Sequence, residues 1–162
     1  MSHQPGSALK SILLAIEHAT LNRDALAKVA ARLERNLDFA RSQMAQLENY
    51  AVDTDSRWTG KATQGVSVEL MRHQYQFMDR LQQAIAMQSG VLTQSAGQLE
   101  QAKAKLLQAE VRLLGLNQIL TVRQAALQRT QRQLQQRHTD EFAAMQHARN
   151  RALPMSGEKH DS

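Results

Sequence analysis

The chain has 162 residues, of which 42% are hydrophobic and 22% charged, yet only three Phe, two Tyr and one Trp are available to fill a globular interior, which excludes a thick core. The formal net charge is +5, and the absence of cysteine excludes a disulfide scaffold and thiol catalysis. The apolar residues fall into stripes, a composition of long helices rather than of disorder.

Residues 1–8, with Pro5 and Gly6, read as a flexible leader. A first helix is predicted over 9–52. Its apolar residues step by three and four through Leu9, Ile12, Ile16, Ala19, Arg23, Leu26, Ala30, Leu33, Leu37, Ala40, Met44, Leu47 and Ala51, with Arg23 the single exception. A period of 3.5 sustained this long keeps one stripe on a partner only if two helices wind around each other with a left-handed supercoil. Asp53, Asp55 and Ser56 favour a turn, so 53–67 is predicted as the hairpin loop, with Trp58, Gly60 and Gly65 inside it. Thr63 or Ser67 is the expected N-terminal cap of a second helix.

That second helix is predicted over 68–149. Met71, Met78, Ile85, Leu92, Leu99, Leu106, Leu113, Leu120, Leu127 and Leu134 recur at every seventh residue. Gly90, Gly97 and Gly115 fall off this stripe and soften the helix, at about 1 kcal/mol each relative to Ala, without ending it. Pro154 and Gly157 stop it, and 150–162 reads as a flexible tail. The fold class is therefore all-α: two long helices in an antiparallel coiled-coil hairpin, with a longer C-terminal helix overhanging. At 1.5 Å per residue the predicted arms measure roughly 65 and 125 Å. The overhang is placed from about Leu107 to Arg149, with Glu110, Asn117, Gln124 and Gln131 as the polar companions of its leucines. Burying one Leu is worth roughly 1.5 to 3 kcal/mol, so Leu113, Leu116, Leu120, Leu127 and Leu134 on one uncovered face amount to a drive for association. Fraying or self-dimerisation is the alternative fate of such a face.

Charge is localised. Between Val111 and Thr139 the formal charges are Arg112, Arg123, Arg129, Arg132 and Arg137, and the rest of the chain is close to neutral. A basic region of the zipper type precedes its leucines, whereas these arginines are interleaved with them, so an acidic protein partner is favoured over nucleic acid. Near the loop a second stripe, Phe77, Leu81, Ala84 and Gln88, runs beside the seam of Met78, Ile85 and Leu92, with Leu47 and Tyr50 approaching from the first helix. It reads equally as a docking face or as a widened hairpin core.

Chemistry is absent from the pattern. His3, His18, His73, His138, His147 and His160 make no i, i+4 pair, so no metal site is expected. Asp140 and Glu141 adjoin His138, but consecutive helical residues point in different directions. There is no phosphate loop and no nucleophile elbow, so no cofactor is expected and the chain does not read as an enzyme. The longest aliphatic run, Ile12 to Ile16, is far short of the roughly 20 residues that span a bilayer, and a soluble, cytosolic protein is expected.

Tyr75-Gln76-Phe77-Met78-Asp79-Arg80-Leu81-Gln82-Gln83-Ala84-Ile85, preceded by Leu47 and Tyr50, resembles the FliJ family of bacterial flagellar export proteins, as do Asp140-Glu141-Phe142-Ala143 and the basic residues after them. The resemblance runs from about Leu9 to Arg151. It implies a stalk of the flagellar type III export apparatus, an antiparallel coiled-coil hairpin similar to part of the central stalk of rotary ATP synthases. The stalk's terminal end would insert into the hexameric export ATPase, FliI, promoting ring assembly and turnover, and its loop-proximal end would engage the export gate protein FlhA, with a further role in escorting substrate chaperones. The gate-docking positions it implies are Gln43, Leu47, Tyr50, Phe77, Leu81 and Ala84; the family's histidine is Gln88 here, and an aromatic position is Thr54. Leu113, Leu116, Leu120, Arg123, Leu127, Arg129, Arg132, Leu134 and Arg137 would form the ring-contacting shaft. Localisation would be cytoplasmic, peripheral to the inner membrane at the flagellar base and held there by these partners. A virulence-type secretion stalk of the same architecture and a generic coiled-coil scaffold or homodimer remain the other readings.

Overall fold

The computed structural model describes residues 5–153. Two helices account for almost all of them, α1 (Pro5–Ala62) and α2 (Val68–Ala152), and among the described residues there is no strand. The fold is an all-α helical hairpin. Both prolines lie at the margins: Pro5 opens α1, where its missing N–H costs nothing, and Pro154 lies outside the described residues. Of the predicted leader and tail, 5–8 and 150–152 are helical, while 1–4 and 154–162 are outside the described residues.

The connection is much shorter than the expected 53–67. α1 continues through 53–62 because its stepping continues: after Leu47 and Ala51 come Thr54 and Trp58, both half-buried. The aspartates of this stretch face outward, where they do not oppose helix. Thr59 Oγ1 donates to the Asp55 carbonyl at 2.9 Å and Thr63 Oγ1 to the Gly60 carbonyl at 2.8 Å, the second of which takes up an orphan acceptor of the last turn. The reversal then needs only Thr63 to Ser67. Gly65 sits at φ +85°, a conformation that L side chains resist, and its N–H donates to the Ala62 carbonyl at 3.4 Å. Ser67 caps α2, its Oγ accepting from the Leu70 amide at 3.3 Å, and Glu69 places an acid in the first turn. Thr63 therefore closes α1 and does not cap α2.

The chain divides into two compact units, Ile16–Leu114 and Met1–Ala15 with Gly115–Ser162. In Ile16–Leu114 the helices run antiparallel and the thirteen-residue stripe read from the sequence supplies the α1 side: from Ile16 to Ala51 every member is buried or half-buried. On α2, Leu99, Ala102, Ala109 and Leu113 are buried. The companions of the seven-residue stripe are thus the residues three places after each member, Leu81, Gln88, Ser95, Ala102 and Ala109, and not the polar residues four places after; Glu110 is exposed. Small Ala102 and Ala109 fit between closely approaching helices and carry no polar group to desolvate. The ion pairs, Arg23–Asp24 at 2.8 Å and Arg41–Asp38 at 3.5 Å, both lie within α1, so among the described residues no salt bridge joins the helices. Apolar burial holds the hairpin.

In the other unit, Ile12 is buried and Leu9 half-buried. Ala8 and Leu9 of α1 line one groove of about 230 Å³ with Arg123, Ala126, Leu127 and Thr130 of α2. Leu116, Leu120 and Leu127 are half-buried, whereas every residue of 128–153 is exposed.

Candidate docking surfaces

The first surface lies on the hairpin of Ile16–Leu114. Tyr50 and Phe77 meet edge to face, ring centroids 6.0 Å apart and planes at 78°, and remain 53% and 39% exposed. Aromatic pairs favour this arrangement, which leaves part of each ring for a second contact. Gln43, Gln46, Leu47, Tyr50 and Gln88 line an open groove of about 440 Å³ beside the pair. Of the residues singled out from the sequence, Gln43, Tyr50 and Phe77 are exposed, and Leu47 and Ala84 are half-buried. Leu81 is only 7% exposed: it belongs to the seam as the companion of Met78 and Ile85, not to a stripe beside it. Gln88 also belongs to the seam, where its Nε2 donates to the Ala40 carbonyl at 2.9 Å and to Gln43 Oε1 at 3.4 Å.

Two residues of this face were missed. Leu70 and Val91 are exposed and stand one heptad either side of Phe77 and Ala84, so Leu70, Phe77, Ala84 and Val91 repeat every seven residues next to the seam. The same step that reveals the seam would have found them, had it been applied to the flank.

The second surface lies on α2. The expected overhang from Leu107 to Arg149 begins later than predicted. Leu113 is buried, and Leu116, Leu120 and Leu127 are half-covered, because α1 runs for 58 residues, longer than the 9–52 assigned to it. What stays uncovered is 128–153, with Arg129, Arg132, Leu134 and Arg137 from the predicted set. Phe142, Met145 and Leu153 are equally uncovered. At 100° per residue Leu134, His138, Phe142, Met145 and Arg149 fall within a sector of about 80° on one face. Arg123 and Thr130 flank the groove that Leu9 helps to line, so Arg123 borders covered ground.

Among the described residues no three His, Asp or Glu side chains cluster as a metal site, and no helix is long and apolar enough to cross a membrane. A family model described as the flagellar FliJ protein matches residues 10–152. No curated protein and no solved structure gives a match.

Proposed function

The chain belongs to the flagellar FliJ protein family, whose members are stalk proteins of the flagellar protein export apparatus, and from this premise we propose that it links the export ATPase ring to the export gate by binding both. The uncovered segment 128–153, helical to Ala152, is the one that enters the pore of the FliI hexamer. Five arginines against Asp140 and Glu141 make it basic, and its leucine, phenylalanine and methionine face has no cover from its own chain. This exposed run is the observation that carries the reading: an isolated helix with such a face gains from any partner that removes it from water, and an acidic lining would steer it in.

The face of Tyr50, Phe77 and the groove beside them is the contact for the gate protein FlhA. Leu81 supports it from within the seam, and the ring contact rests on Arg129, Arg132, Leu134 and Arg137 more than on Leu113, Leu116, Leu120 or Leu127. Coupling then consists of differential binding: each end can shift its partner only by the difference in its affinity for that partner's states. Escort of emptied substrate chaperones belongs to the same reading, as does a place on the cytoplasmic side of the inner membrane, held there by the partners.

The test is the ATP turnover of the cognate export ATPase, with its apparent mass, in the presence of the wild-type chain or of R129E/R132E/R137E. The wild type is expected to speed turnover and raise the share of hexamer, and the triple reversal to need about tenfold more protein for the same effect. No stimulation by the wild type, with the chain itself a stable dimer, would replace the stalk by a scaffold.

A further inference from the structure

Gln88 is a polar residue at a seam position, half-buried between Ile85 and Leu92, and its hydrogen bonds determine what the groove presents. A main-chain carbonyl only accepts, so the group that Gln88 turns to Ala40 O must be its NH2. That NH2 has a second hydrogen, and the Gln43 atom facing it must therefore be the carbonyl oxygen Oε1, as found at 3.4 Å. With Oε1 engaged, the NH2 of Gln43 is left without an acceptor among the described residues, on a residue that lines the groove with Leu47 and Tyr50. The groove has no cationic side chain in its lining, so nothing there would neutralise a carboxylate.

We propose that Gln88 is a positioning residue: by clamping Oε1 of Gln43 it holds that side chain's NH2 as a fixed donor for a neutral acceptor, a main-chain carbonyl of the gate protein, seated against Tyr50. The proposal rests on the reading of this face as the gate contact. Preorganisation is the physical gain, since a glutamine held in one rotamer before binding does not lose that freedom on binding. Gln88 itself need not touch the partner.

The experiment is the affinity of the full-length chain for detergent-solubilised FlhA, measured with thermal melting for wild type, Q88L, Q43E, Q43A, the double variant Q43A/Q88L and F77A. Q88L places an apolar side chain in an apolar seam and should melt no lower than wild type, yet bind about fivefold to tenfold more weakly, the cost of immobilising a freed Gln43 side chain on binding. Q43E still accepts from Gln88 but has no NH2, and should lose at least as much. Because both glutamines act through one donor, Q43A/Q88L should bind no more weakly than Q43A alone. The Q88L to wild-type ratio should hold in low and high salt, as for a neutral acceptor. Unchanged affinity of Q88L, additive losses, or a loss that shrinks with salt would overturn the proposal while F77A still weakens binding. Failure of the wild type itself to bind FlhA would remove the gate reading and this inference with it.

Discussion

Leu81 and Phe77 are four residues apart, one turn of the same helix, and their different burial gives them different work. Leu81 is 7% exposed and fills the seam, so Leu81→Ala removes buried atoms and leaves a gap between helices; a loss of about 2 kcal/mol in urea unfolding is expected. Phe77→Ala trims a ring that is already partly in water and should cost less than about 1 kcal/mol, while weakening the proposed gate contact. Equal losses from the two substitutions would mean that Phe77 is core after all. Gln88 shows the same lesson for a polar side chain. Its seam position was hidden in the sequence because it was grouped with Phe77 by spacing, and only its bond to the Ala40 carbonyl assigns it inward. Gln74, another half-buried amide on α2, has its Nε2 buried without a partner among the described residues.

At the scale of the helices, periodicity outranked local turn preference. Asp53, Asp55, Ser56 and Gly60 favour a turn one by one, but Thr54 and Trp58 keep the three-and-four stepping, and burying them holds the last turns of α1 together. Turn residues predict a break only where the apolar period stops with them, as it does at Gly65, whose positive φ makes the reversal. The glycines inside α2 are a different case. A Cβ at Gly97 would meet nothing within 4 Å and the backbone there is helical, so Gly97→Ala should stabilise the chain by about 1 kcal/mol, read as a rise in urea midpoint. A fall would mean that this helix needs its glycine for a bend or for a partner's close approach.

At the scale of the molecule, stability is unevenly spread. The hairpin of Ile16–Leu114 has buried residues along both helices, while 128–153 is helix without cover, and an isolated helix of this kind is marginal in water. Native-state hydrogen exchange should find the amides of 128–153 exchanging at least about a hundredfold faster than those around Leu37 and Leu99, with the difference shrinking when the export ATPase is added. Uniform protection in the free chain would show that the segment is covered, by a second copy for instance, and would undercut its proposed role as a free shaft. The sequence by itself determined the all-α class and the α1 seam, since a 3.5-residue period is a property of the chain read along its length, and it marked the arginine cluster and the Phe77 stripe as the two candidate surfaces. Three things needed the tertiary structure: how far α1 runs, which companion of each α2 leucine faces inward, and which glutamine atoms remain free. Each depends on what the opposing helix brings to the same level, and a single strand of sequence, however regular, does not say which of its flanks another helix will cover.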